Sequence, residues 1–155
     1  MIENLMDKLK ESEVPEGVIA LYLYGSFIKG RLREDSDIDI AVLTEHFMEP
    51  EKRLILISEI EDLFSRIFNA LGFSHNVNIM DMRSRYASIE LLYKIVREGL
   101  CIYERSVEDK IEFENVIKKE YLDFYPFLRH LREKRYGRAL SKEDSHFIER
   151  APRIN

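Results

Sequence analysis

Cysteine is almost missing from this sequence, and Cys101 on its own excludes an intramolecular disulfide and a thiolate zinc cluster. Set between Leu100 and Ile102, it reads as a small buried apolar residue. Apolar runs of about 18 residues, the length that spans a bilayer, are missing as well, and Met1-Ile2-Glu3-Asn4 has no basic region leading into an apolar stretch. A cytoplasmic location away from membranes is therefore expected. Positive charge is not in excess: the formal net charge is -5, and an acidic surface on average repels phosphate backbones. Direct nucleic-acid binding is not expected, and a basic protein partner is easier to accommodate. Internal repeats and low-complexity segments are also lacking.

With 45% apolar and 34% charged residues in 155, the chain has the composition of a folded domain with a densely charged surface. That length buries one substantial core, with anything further an extension. Ile2, Leu5, Met6 and Leu9 recur at helical spacing and stop before the turn Pro15-Glu16-Gly17. The continuous apolar stretch 18–24 ends at Gly25 and reads as a strand buried on both faces. A second strand is expected over 37–43 and a third over 76–82. Ile57, Ile60, Leu63, Phe64, Ile67, Phe68 and Leu71 mark one face of a helix over 51–71, which Gly72 closes. A further helix is expected over 87–98, then Gly99 and a short strand over 100–103. From 107 to about 136 the pattern is helical but contains Pro126, so two helices or one bent helix are both acceptable. Helices alternating with short strands indicate an α/β or α+β sheet domain.

Gly25-Ser26 directly follows a strand, and Gly30 a few residues on lets backbone approach a ligand closely. Main-chain amides there, at a helix start, suit phosphate oxygens. Asp37 and Asp39 stand two apart on an expected strand, so both carboxylates project to one face. Hard oxygen ligands of that kind select magnesium, particularly where substrate phosphates supply further ligands. Between the two motifs, Lys29, Arg31 and Arg33 offer cations for a triphosphate, with Lys29 and Arg31 favoured because they flank Gly30. The histidines His46, His75, His130 and His146 show no ligand spacing. Over 121–136, Phe124, Tyr125 and Phe127 interleave with Arg129, Arg132 and Arg135, a pattern that fits an amphipathic packing segment better than a nucleic-acid surface.

Gly25-Ser26, residues 27–36, then Asp37-Ile38-Asp39 together form a Gly-Ser-x10-Asp-x-Asp signature, with Ser36-Asp37-Ile38-Asp39-Ile40 as its local context. The chain thereby resembles the minimal nucleotidyltransferases of the polymerase-β-like class, and more narrowly the MntA-type antitoxins of HEPN/MNT toxin–antitoxin pairs. Softer matches extend the resemblance over about 18–136, including the stretches 77–82, 97–104 and 121–124.

The resemblance implies a polymerase-β-like fold, a small mixed sheet flanked by helices over 1–105 with a helical C-terminal extension over 106–140, and the tail 141–155, which has little periodicity, is expected to be loosely ordered. It implies ATP as substrate over Gly25, Ser26, Lys29, Gly30, Arg31 and Ser36, with Mg2+ on the catalytic Asp37 and Asp39. It further implies AMP transfer to a tyrosine hydroxyl of a HEPN ribonuclease toxin. The family usually supplies a third acidic residue at the position held here by Asn78. Asp81 lies three residues along and, by strand alternation, faces the other way. Two rival readings stay open: a degenerate fold that neutralises the toxin by binding alone, and a nucleotidyltransferase acting on small molecules.

Overall fold

The computed structural model describes residues 1–137, so the tail expected over 141–155 lies outside the described residues. The elements run α1 (Ile2–Glu11), β1 (Val18–Tyr24), β2 (Ile38–Thr44), α2 (Pro50–Ala70), β3 (Val77–Asp81), α3 (Ile89–Glu98), β4 (Leu100–Glu104) and α4 (Val107–Gly137). The four strands form a single sheet in the order β3-β2-β1-β4. β1 is antiparallel to both its neighbours, whereas β2 and β3 are parallel, so the sheet is mixed.

Period-two alternation assigns the two faces. Leu21, Leu23, Ile38, Ile40 and Val42 point to one side, where Leu5 and Leu9 of α1 and Ile60, Phe64 and Phe68 of α2 cover them. Tyr22, Ala41 and Leu43 point to the other, under Leu92 and Ile95 of α3 and Phe113 and Ile117 of α4. A register shift between Val18 and Ala20 allows the consecutive Ile19 and Ala20 to share that second face. Helices on both faces account for the near-continuous apolar sequences of β1 and β2, since neither strand has a solvated side.

The helix ends follow local chemistry. Pro50 occupies the first turn of α2, where its missing amide costs nothing, and the Ser88 hydroxyl accepts from the Leu91 amide at 3.2 Å to cap α3. α4 runs through Pro126 as one 31-residue element, the second of the two forms the sequence allowed. It is fastened to the second face by the Tyr22 hydroxyl, which donates to Glu114 Oε1 at 2.6 Å, and by Tyr121, stacked on Tyr93 of α3 at 3.8 Å between centroids.

On the first face an aromatic cluster joins the core to the loop after β1. Phe68 packs edge-on against Phe27 at 5.7 Å and Phe73 at 5.8 Å, and it stacks on Phe64 at 6.2 Å. Phe68 is 1% exposed, so Phe68→Ala opens a cavity beneath that loop and should cost about 3–5 kcal/mol. Urea denaturation should show a lower midpoint with an unchanged slope; a loss below about 1 kcal/mol would mean that the loop is not held from below.

Candidate functional site

The site is assembled where β1 ends and β2 begins. Tyr24 is opposite Asp39 in the antiparallel register, and Asn78 of β3 is opposite Asp39 in the parallel one. Asp39 shares the parity of Ala41 and Leu43, so its carboxylate is on the α3 side of the sheet. Asn78 Nδ2 donates to Asp39 Oδ1 at 3.2 Å.

Gly25 adopts φ +79°, a conformation that side chains disfavour, and the position of an added Cβ lies 2.5 Å from Asp39 Oδ2. Glycine is required there twice over, by its backbone angle and by the carboxylate packed on it. Gly30 also has positive φ, +67°, but nothing lies within 4 Å of its would-be Cβ. Within the protein its need is conformational, whereas Gly25 is also packed against a neighbouring side chain.

Residues 25–30 form successive turns; the helix start expected there is not present. Lys29 donates its amide to the Gly25 carbonyl, Gly30 to that of Phe27 and Arg31 to that of Ser26. These bonds curl the segment like one helical turn, so the amides of Ser26, Phe27 and Ile28 take the place of a helix's first unpaired donors. Phe27, Ile28 and Leu32 pack on the core below, while Lys29 and Arg31 are exposed. The loop is thus a cradle of amides with an apolar floor and a basic rim.

Ser36 closes a turn ahead of β2. Its hydroxyl accepts the Arg33 amide at 3.2 Å while its own amide donates to the Arg33 carbonyl at 3.1 Å, closing the turn that delivers Asp37. The Arg33 carbonyl is also 2.8 Å from His75 Nε2, which ties this turn to the approach into β3. β2 begins at Ile38, one residue later than expected, so exposed Asp37 stands just ahead of the strand.

Electrostatics mark the pair. Burial raises the Asp39 carboxyl above its ordinary value, the Asn78 hydrogen bond draws it back, and the charge of Asp37 lifts it again. Tyr24 is pushed up to about 12 by burial and by the Asp39 charge, so it stays neutral beside the carboxylates at neutral pH. Among the described residues no three His, Cys, Asp or Glu side chains converge as a metal set. Two carboxylates whose charges oppose each other fit a hard divalent cation that substrate oxygens complete.

Asp81 is on the opposite face, where it pairs with Arg53 of α2 at 3.2 Å and accepts the Arg83 amide at 2.9 Å. It takes no part in the site. Two features carried no signal in the sequence. One is the Asn78 hydrogen bond to Asp39; the other is Lys94 of α3, which lines a cavity of about 140 Å³ together with Tyr24, Gly25, Ile28 and Lys29. A larger cavity, about 650 Å³, lies at the far end of β1 between Arg83, Arg105, Asp109 and Phe113. It contains no residue of the loop after β1, whereas Gly25, Ile28 and Lys29 of that loop wall the smaller one.

A family model described as polymerase beta, nucleotidyltransferase matches residues 3–108. The chain is 28% identical over 109 residues to the protein adenylyltransferase MntA of Shewanella oneidensis, covering 70% of each protein. Two solved structures share the fold: a crystal structure of a toxin-antitoxin with AMP-PNP, at TM-score 0.51 and 22% identity over 88% of this chain and 93% of that one; and a mutant of the toxin-antitoxin MntA-HpeT, at 0.51 and 20% over 88% and 93%.

The two glycines separate by substitution. Gly30→Ala should cost only the left-handed backbone strain, about 1–2 kcal/mol. Gly25→Ala adds a collision with Asp39 and should be the more damaging by thermal unfolding and in ATP binding. Equal effects at both positions would show that the packed carboxylate imposes no constraint on Gly25.

Proposed function

The chain belongs to the polymerase β nucleotidyltransferase family, and from that premise we propose that it transfers AMP from ATP to a tyrosine hydroxyl of a HEPN-type ribonuclease toxin, acting as the antitoxin. The observation that carries this reading is the packing of the Asp39 carboxylate on the Gly25 backbone, which sets that carboxylate directly beside the turn over 25–30. The likeness to a protein adenylyltransferase supports a protein acceptor over a small molecule.

In this reading the triphosphate lies over Gly25-Ser26, its oxygens met by the loop amides and the Ser26 hydroxyl, with Lys29 and Arg31 at the rim. Asp37 and Asp39 hold Mg2+, which when bound supplies positive charge at the phosphates and at the attacking hydroxyl. Ser36 shapes the turn that presents Asp37. Tyr24, held neutral, closes the apolar side without adding a competing charge.

A second reading, neutralisation by binding alone, is favoured by Asn78. Its amide donates to Asp39 and offers no base for the acceptor proton. Mass spectrometry of a HEPN-type toxin incubated with the protein, ATP and Mg2+ separates the two. Added AMP on a tyrosine supports transfer, whereas inhibition of the toxin without added mass supports binding alone and overturns our proposal.

The double substitution Asp37→Asn with Asp39→Asn should abolish Mg2+-dependent ATP binding in a protein that remains folded, because it removes both anionic ligands and their mutual repulsion. Unchanged affinity by calorimetry would rule out the site. Asn78→Asp replaces a donor to Asp39 with a third carboxylate, so the melting temperature should fall without Mg2+ and recover with it, while AMP transfer rises. A melting temperature indifferent to Mg2+ in that variant would place the third acidic position elsewhere.

A further inference from the structure

We propose that Lys94, on α3, is a triphosphate-binding residue that closes with Lys29 around the β- and γ-phosphates of the nucleotide. The inference rests on the nucleotide-binding reading above and assigns a residue outside the Gly-Ser loop and the carboxylate pair.

The geometry starts from two elements meeting at one cavity. Leu91 and Ile95 of α3 face the loop after β1 and line the cavity with Gly25 and Ile28, and Lys94 rises beside them opposite Lys29. Lys94 and Lys29 line the same cavity, together with Glu98, and the nearby Lys94 lowers the proton affinity of Lys29 below the ordinary lysine value. The Lys94 charge and that of Arg31 push the same way, and Glu98, one turn further along α3, opposes them only in part. Two cations, one from the loop and one from α3, thus meet at this cavity.

Two ammonium groups on the wall of one small cavity repel each other, and nothing in the packing demands the arrangement, since both side chains are exposed and either could turn away into water. An anion placed between them converts that repulsion into attraction to both. The cavity supplies the place, because its wall is the Gly25 backbone from which the amide cradle begins. A nucleoside monophosphate seated on the loop has its single phosphate at the carboxylates, so only the outer phosphates extend to the lysines.

In the transfer step the acceptor hydroxyl oxygen bonds to the α-phosphorus and its proton passes to water. The bond between the α-phosphorus and the oxygen bridging to the β-phosphorus breaks, and its electron pair leaves on pyrophosphate. Both lysines remain protonated and lie against that departing charge, so Lys94 bears on ATP binding and on the release of pyrophosphate.

The test is equilibrium binding of ATP and of AMP to the full chain with Mg2+ present. Lys94→Ala should weaken ATP about tenfold while leaving AMP within about twofold, and Lys94→Arg should hold ATP within about threefold. Alanine is a good helix former at this exposed position, so the variant should fold, and Lys118→Ala on exposed α4 should leave both affinities unchanged. Equal losses for ATP and AMP, or no loss for either, would overturn the assignment while leaving ATP binding by the natural protein intact. Failure of the natural protein to bind ATP would overturn the nucleotidyltransferase reading itself, and the Lys94 assignment with it.

Discussion

The contact on which the site depends is between a backbone without a side chain and a carboxylate: Gly25 at the end of β1 and Asp39 near the start of β2. Antiparallel pairing brings the two strands side by side, and at that point the space a Cβ would fill is taken by Asp39 Oδ2. A carboxylate so placed is partly withdrawn from water, which raises its pKa, and a hydrogen bond from Asn78 draws it back against the opposing charge of Asp37. The acidic pair and the amide-bearing turn are consequently one unit, because the carboxylate cannot shift without disturbing the turn.

The sheet makes that unit rigid. β1 and β2 are covered on both faces, with Leu23, Ile38, Ile40 and Ala41 all fully buried around the contact. Phe27 carries the rigidity out into the loop by inserting between Phe68 and Phe73, so the turn is held from below while its polar edge stays exposed. At the other end of the sheet a separate polar network fixes β2 to α2: Arg53 donates to the Thr44 hydroxyl at 2.6 Å and pairs with Asp81. Thr44 is fully buried, and its satisfied hydroxyl avoids the cost of a stranded polar group. This network gives Asp81 a structural task on the face opposite Asp39.

The basic rim follows a different rule from the acidic centre. Lys29 and Arg31 are delivered by the loop itself, but Lys94 comes from α3, whose position over the second face is set by Leu92 and Ile95. Packing that buries two apolar residues therefore also decides where a cation stands. The described residues include no helix long and apolar enough to cross a membrane, and α4 lies along the domain through Tyr22, Tyr93 and Glu90 contacts.

The sequence by itself determined the strands and helices within one or two residues, because two-sided burial of β1 and β2 leaves continuous apolar runs and α2 leaves a clear stripe of period 3.6. It also offered Gly25, Ser26, Asp37 and Asp39 as one signature through the family resemblance, of which the structure packs Gly25 directly on Asp39. Only the tertiary structure decided which glycine is under steric demand, that Asn78 donates to Asp39, that Asp81 answers to Arg53, and that Lys94 stands against Lys29. The physical reason is common to all four. Each depends on strand order, register and helix placement that join residues far apart in the chain, whereas local periodicity records only which face of its own element a residue occupies.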